Sequence, residues 1–127
     1  MAKKILIADD DTTSLNLVAA HLRDSGYQVV TASDGQEALR RAKSEVPDLV
    51  ILDLMLPKMD GYRVCRFLKS DDNYRNIPIL IFTSRLDSKI HGESLGAGAD
   101  AYLTKPFQPA KLLSAVKELL AKSPETG

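Results

Sequence analysis

Three aspartates, Asp9, Asp10 and Asp11, stand together directly after the apolar run Ile5-Leu6-Ile7-Ala8. A second apolar run, Leu49 to Leu54, carries Asp53 near its end, and a third, Ile79 to Phe82, leads into Thr83 and Ser84. Lys105 follows a short run, Ala101-Tyr102-Leu103, just before Pro106. Carboxylates crowded together repel and do not all ionise cheaply. A hard divalent cation relieves that repulsion, and oxygen donors without His or Cys favour Mg²⁺ over zinc. A carboxylate is also a nucleophile toward phosphorus, giving an aspartyl phosphate. The new phosphoryl oxygens then need a metal, an ammonium and a hydroxyl donor. These residue types offer all three.

For the groups to meet, the apolar runs must be strands that end on one side of the molecule. Ile5 to Ala8 reads as a buried strand, and Leu15, Val18, Ala19 and Leu22 then recur at i, i+3, i+4 and i+7, one face of a helix. Gly26 follows as its C-cap. Gln28 to Ala32 is a β-branched second strand, and Ala38, Leu39 and Ala42 mark a second helix stopped before Pro47. Leu49 to Leu54 predicts a third strand; Val64, Phe67 and Leu68, with Cys65 beside them, predict the apolar face of a third helix. Ile79 to Phe82 gives a fourth strand and Ser88 to Leu95 a thin fourth helix carrying Gly92, with Gly96 and Gly98 just beyond. Ala101 to Leu103 is a short fifth strand, and Leu112, Val116 and Leu119, widened by Leu113 and Leu120, form the stripe of a last helix.

Five strands alternating with five helices predict an α/β fold. Continuous apolar runs suit a parallel sheet covered on both faces, and right-handed crossovers make it doubly wound. In such a sheet the working site lies beyond the carboxyl ends of the strands, where Asp9, Asp10, Asp53, Thr83 and Lys105 fall.

The 127 residues are one domain's worth, with 44% apolar and 27% charged, an ordinary globular composition. Seventeen basic residues balance seventeen acidic ones, which leaves no electrostatic footprint for nucleic acid or an anionic membrane. Cys65 is the only cysteine, so an internal disulfide and a thiolate metal cluster are excluded, and a reducing compartment is the natural reading. The run Ile5 to Ala8 is too short for a signal peptide and no stretch approaches a membrane span, so the expected location is the cytoplasm.

Asp9-Asp10 after an apolar strand, Leu52-Asp53-Leu54-Met55-Leu56-Pro57-Lys58-Met59-Asp60-Gly61, Thr83-Ser84 and Lys105-Pro106-Phe107 together resemble the receiver domains of bacterial response regulators. The resemblance runs over nearly the whole chain, in order and with the right intervals. It implies a flavodoxin-like five-stranded sheet of order 2-1-3-4-5, an order for which receivers are themselves a standard example. It implies a domain over residues 1–122, with 123–127 as tail or the start of a linker. Asp53 becomes the phosphoacceptor. Asp10 becomes a direct Mg²⁺ ligand, Asp9 assists through water, and the Met55 main-chain carbonyl completes the protein's share of the shell, with Mn²⁺ as a substitute metal. Lys105 contacts the phosphoryl group, and its bond to Pro106 is expected to be cis. Thr83 and Tyr102 are the switch pair: Thr83 moves toward the phosphoryl group, Tyr102 fills the space, and the face of the fourth helix, fifth strand and last helix changes shape. Met55 and Arg85 flank the path of the hydrolytic water in receivers; neither is a base at neutral pH, so slow self-dephosphorylation is expected. The phosphodonor would be a sensor histidine kinase or a phosphotransfer protein, and the recipient a downstream effector or a fused output domain. This domain itself would touch neither nucleic acid nor membrane. Receivers fused to winged-helix domains usually carry a charged dimer network; Ala101 and Ala115 stand where charges are usual, so a monomer is expected before phosphorylation.

Other readings attach to the same residues. Acidic residues after a strand often serve as helix N-caps, and Asp11 or Thr12 is expected to be one. Asp9-x-Asp11-x-Thr13 also resembles the first motif of haloacid-dehalogenase phosphatases, with Asp9 as nucleophile, but the later order of Asp53, Thr83 and Lys105 does not suit that family. A flavin mononucleotide site would need a phosphate loop after the first strand, and three aspartates there repel phosphate. A receiver-like module that is never phosphorylated is set aside because every phosphorylation position is filled. Tyr102 reads equally as a half-buried core residue, Cys65 as a small core residue, and His21 and His91 as surface residues.

Overall fold

Apolar runs and amphipathic stretches alternate along the chain as β1 (Lys4–Ala8), α1 (Thr12–Asp24), β2 (Gln28–Ala32), α2 (Gly35–Glu45), β3 (Leu49–Asp53), α3 (Gly61–Lys69), β4 (Ile79–Thr83), β5 (Ala101–Thr104) and α4 (Pro109–Lys122). The structure is a computed structural model that describes residues 2–83 and 98–122, excluding the side chains of Thr83 and Lys122. The five strands pair in parallel in the order β2-β1-β3-β4-β5. Among the described residues there are four helices, not the five expected; the predicted helix at Ser88 to Leu95 and the tail 123–127 lie outside them.

Side chains alternate across the sheet with period two. Leu6, Ala8, Val50, Leu52, Ile79 and Ile81 point to one face and pack with Ala38 and Ala42 of α2 and Val64, Cys65 and Leu68 of α3. Ile5, Ile7, Leu49, Ile51, Leu80 and Phe82 point to the other and pack with Leu15, Val18, Ala19 and Leu22 of α1 and Leu112, Val116 and Leu119 of α4. The central strands are therefore buried on both faces, which is why they read as unbroken apolar runs.

Each helix starts on an aspartate where a cap is resolved. Asp11, Asp34 and Asp60 accept from the main-chain N–H of Thr13, Glu37 and Arg63, satisfying donors that the first turn cannot. At the end of α1 the cap residue is Ser25, with Gly26 one place beyond at φ 96°. The apolar stripe of α3 needs one correction. Phe67 is 54% exposed, and the face that α3 buries is Gly61, Val64, Cys65 and Leu68. At helical spacing, 61, 64, 65 and 68 form one stripe, and 67 falls beside it. Burial pushes the Cys65 thiol up to about 12, with Lys69 opposing and Asp100 adding to the rise. Among the described residues no helix is long and apolar enough to cross a membrane.

Candidate functional site

Ala8 pairs with Leu52, so the next residues of the two strands, Asp9 and Asp53, emerge side by side at one end of the sheet. Asp9, Asp10 and Asp53 each present a carboxylate oxygen within 4.8 Å of the others. Asp9 is only 2% exposed, Asp53 is partly buried, and Asp10 faces solvent. The Lys105 ammonium bridges the two inner carboxylates, donating to Asp9 Oδ2 and Asp53 Oδ2 at 2.8 Å each. The remaining oxygens are also held: the Asp11 N–H donates to Asp9 Oδ1 and the Met55 N–H to Asp53 Oδ1, both at 3.0 Å. Among the described residues the Asp10 side chain has no hydrogen bond or ion pair.

One ammonium thus faces three carboxylates, and the excess of negative charge sits on oxygen donors alone. That donor set fits a hard divalent cation of the Mg²⁺ type. Burial alone would lower the Lys105 pKa, but hydrogen bonds to Asp53 and Asp9, and their charges, outweigh it and hold the ammonium above its ordinary value. The lysine is further placed by aromatic rings. Its Nζ lies 5.6 Å over the centre of the Phe82 ring, and Phe82 stacks at a tilt on Phe107 with centroids 4.8 Å apart. The Lys105–Pro106 peptide bond is cis.

The loop after Asp53 is pinned from two sides. The Gly61 N–H donates to the Leu54 carbonyl, and a Cβ at Gly61 would lie 2.4 Å from the Asp53 carbonyl oxygen, so only glycine permits that approach. From the other side the Gly35 N–H, first in α2, donates to the Pro57 carbonyl, and a Cβ there would lie 1.6 Å from the Met59 carbonyl oxygen. Met55, at the head of this loop, is 71% exposed.

The match to known proteins is direct. The family model described as the response regulator receiver domain matches residues 5–117. This chain belongs to the response regulator receiver family. Accepting a phosphoryl group is that family's function. The receiver is 45% identical over 123 residues to the alkaline phosphatase synthesis transcriptional regulatory protein PhoP of Bacillus subtilis, covering 97% of this chain and 50% of PhoP. It spans about half the length of several curated relatives it matches. Among solved structures it resembles the receiver domain of a signal transduction histidine kinase from Syntrophus aciditrophicus, with TM-score 0.92, 38% identity and coverage of 99% of this chain and 96% of that one. It also resembles the receiver domain of the sensor histidine kinase PA1611 of Pseudomonas aeruginosa, with TM-score 0.90, 30% identity and coverage of 96% and 100%. That structure has a magnesium ion coordinated in its active-site cleft.

The receiver fold brings Asp9, Asp10, Asp53 and Lys105 together as expected. Thr83 ends β4 opposite Thr104, and its side chain lies outside the described residues, as does all of Arg85. Tyr102 pairs with Ile81 on the neighbouring strand and is partly buried against the core on the α2–α3 face. Burial pushes its hydroxyl up to about 12, with Cys65 and Asp100 adding to the rise. The phosphatase alternative fails on geometry. Asp9 is only 2% exposed, whereas Asp53 is more open to solvent, and Asp11 caps the Thr13 N–H, so the pair does not stand where an accessible nucleophile and its acid must. Gly35 escaped sequence reasoning; the only signal was a glycine directly after the capping Asp34.

Proposed function

We propose that Asp53 accepts a phosphoryl group from a phosphohistidine of a sensor histidine kinase or phosphotransfer protein, in a reaction that needs Mg²⁺ or Mn²⁺. The shared ammonium carries this reading: Lys105 holds Asp53 and the buried Asp9 at 2.8 Å each, beside the exposed Asp10. An Asp53 oxygen bonds to phosphorus, the donor's phosphorus–nitrogen bond breaks, and its electron pair leaves with the imidazole, which is protonated. The new acyl phosphate no longer carries the carboxylate's charge. Lys105 is thereby released from one partner and becomes the cation within reach of the phosphoryl oxygens. Asp10, Asp53 and the Met55 main-chain carbonyl would hold the metal directly, and Asp9 through water. Bound there, the metal supplies the positive charge that neutralises the phosphoryl oxygens. An apolar groove of about 420 Å³, lined in part by Leu17, His21 and Phe107, opens beside Lys105 and offers the donor protein a hold.

The domain, residues 1–122 with 123–127 as tail or the start of a linker, acts in the cytoplasm as a phosphoacceptor. It catalyses its own phosphorylation and slow dephosphorylation and no reaction on other molecules. Thr83 and Tyr102 relay the change to an effector protein or fused output domain, and the unphosphorylated domain is a monomer. Incubation with acetyl phosphate and Mg²⁺ should add one phosphate to the intact mass, and Asp53→Asn should abolish the gain. Stoichiometric labelling of that variant would show the acceptor to be another residue. Phosphate loss should be slow because neither Met55 nor Arg85 activates water. Met55→Asn with Arg85→Glu should speed it, and an unchanged or slower loss rejects the roles of both.

A further inference from the structure

Residues of α3 and of the loop before it form a groove that the phosphorylation chemistry does not use. Lys58, Met59, Arg63, Arg66, Phe67 and Ser70 line a space of about 590 Å³. Three of the six are cations and none is a carboxylate. Of the nearby acids, Asp60 caps the Arg63 N–H, and Asp34 faces the groove's own Lys58 at 3.7 Å while capping the Glu37 N–H, which leaves the two arginines as the unpaired cations among the described residues of the groove. Arg63 and Arg66 make no ion pair among the described residues, whereas Arg40 and Arg41 face Glu37 and Arg75 faces Asp72. Phe67 lines the same groove as the arginines and is exposed, and α3 does not need it for its buried stripe.

We propose that this groove docks an acidic peptide segment of a partner protein, with an apolar side chain seated on Phe67 and Met59. Planar guanidinium groups pair with carboxylates through two parallel hydrogen bonds, and an exposed aromatic with arginines in one groove is the composition of an interface anchor. Nucleic acid is disfavoured by the overall charge. Seventeen bases against seventeen acids give no long-range field, so the positive patch is local and suits a short acidic segment. The groove also starts in the loop that follows Asp53, with Lys58 and Met59 three and four residues after Met55. An occupant is therefore in contact with the same loop that would carry the metal's main-chain ligand.

The test uses a labelled short peptide with glutamates around a Leu-Phe pair, its lysine-for-glutamate counterpart, a single-stranded oligonucleotide and phosphatidylserine vesicles. Binding by anisotropy and amide shift changes should favour the glutamate peptide and map to residues 58–70. Arg63→Glu with Arg66→Glu, and separately Phe67→Ser, should each weaken it by about tenfold or more. Asn16→Ala, at an exposed position of α1 across the sheet, should leave it unchanged. All four positions are exposed, so circular dichroism should confirm intact folding. No binding of the glutamate peptide at about 1 mM overturns the proposal. So does equal binding of the lysine peptide, or stronger binding of the oligonucleotide or vesicles. Shift changes confined to α1 overturn it as well.

Discussion

At the scale of single residues, the site is a balance of charge. Asp9 is buried and tied by two hydrogen bonds, and Asp53 is tied by two more, while Asp10 sits at the rim without a partner among the described residues. In the metal-free receiver Asp10 therefore contributes mainly repulsion. Asp10→Asn should leave stability in chelator unchanged or raise it by about 0.5–1 kcal/mol. The same substitution should remove most of the Mg²⁺-dependent rise in melting temperature, because the metal stabilises the fold only through the ligands it gains. Paired thermal melts in chelator and in Mg²⁺ check both signs. An Mg²⁺ response equal to wild type would place the cation elsewhere. Asp9, Asp10, Asp53 and Lys105 were legible in the sequence because each follows an apolar strand, and a parallel sheet gathers strand ends. The bonds that Lys105 makes to both carboxylates were not, since spacing along the chain says nothing of rotamers.

Elements were legible in proportion to how much of their pattern is burial. Strand β2 and the stripe of α1 match the sequence residue for residue because apolar period and core face coincide. Phe67 broke the pattern on α3: hydrophobicity alone assigned it to the core, but its angle on the helix puts it at the surface. The closeness of α2 to the loop after Asp53 was invisible, since a glycine leaves no apolar signal. That contact gives a prediction with an unusual sign. Helix propensity alone predicts that Gly35→Ala stabilises by about 1 kcal/mol. The structure predicts the reverse, because the new Cβ would meet the Met59 carbonyl oxygen at 1.6 Å, and backbone on both sides must shift. A loss of about 3 kcal/mol is expected, near the upper end for overpacking. Displacing the loop also moves Met55, so Mg²⁺ should bind more weakly than to wild type. A variant as stable as wild type in urea, with unchanged Mg²⁺ response, would show that α2 does not clamp the loop.

For the whole molecule, the question is whether two cores on opposite faces of one sheet behave as one. Leu68 anchors the face covered by α2 and α3, and Leu22 the face covered by α1 and α4; both are fully buried. The layers share β1, β3 and β4, whose residues alternate between them, so neither layer keeps its sheet if the other melts. Leu22→Ala and Leu68→Ala should each cost about 3 kcal/mol from lost burial and the cavity left behind. For a domain of this size that is about 10 °C in melting temperature. Each variant should still melt in one transition, with the urea slope unchanged. Phosphorylation capacity, read by intact mass at rising temperature, should fall along the same curve as the helix signal. Asp9 and Asp53 stand directly after or at the end of strands β1 and β3, which both cores hold, and the site has no means of outlasting them. Two separate transitions in either variant would mean that the layers fold independently. Loss of labelling well below the melting point would mean that the site is held by something more fragile than the sheet.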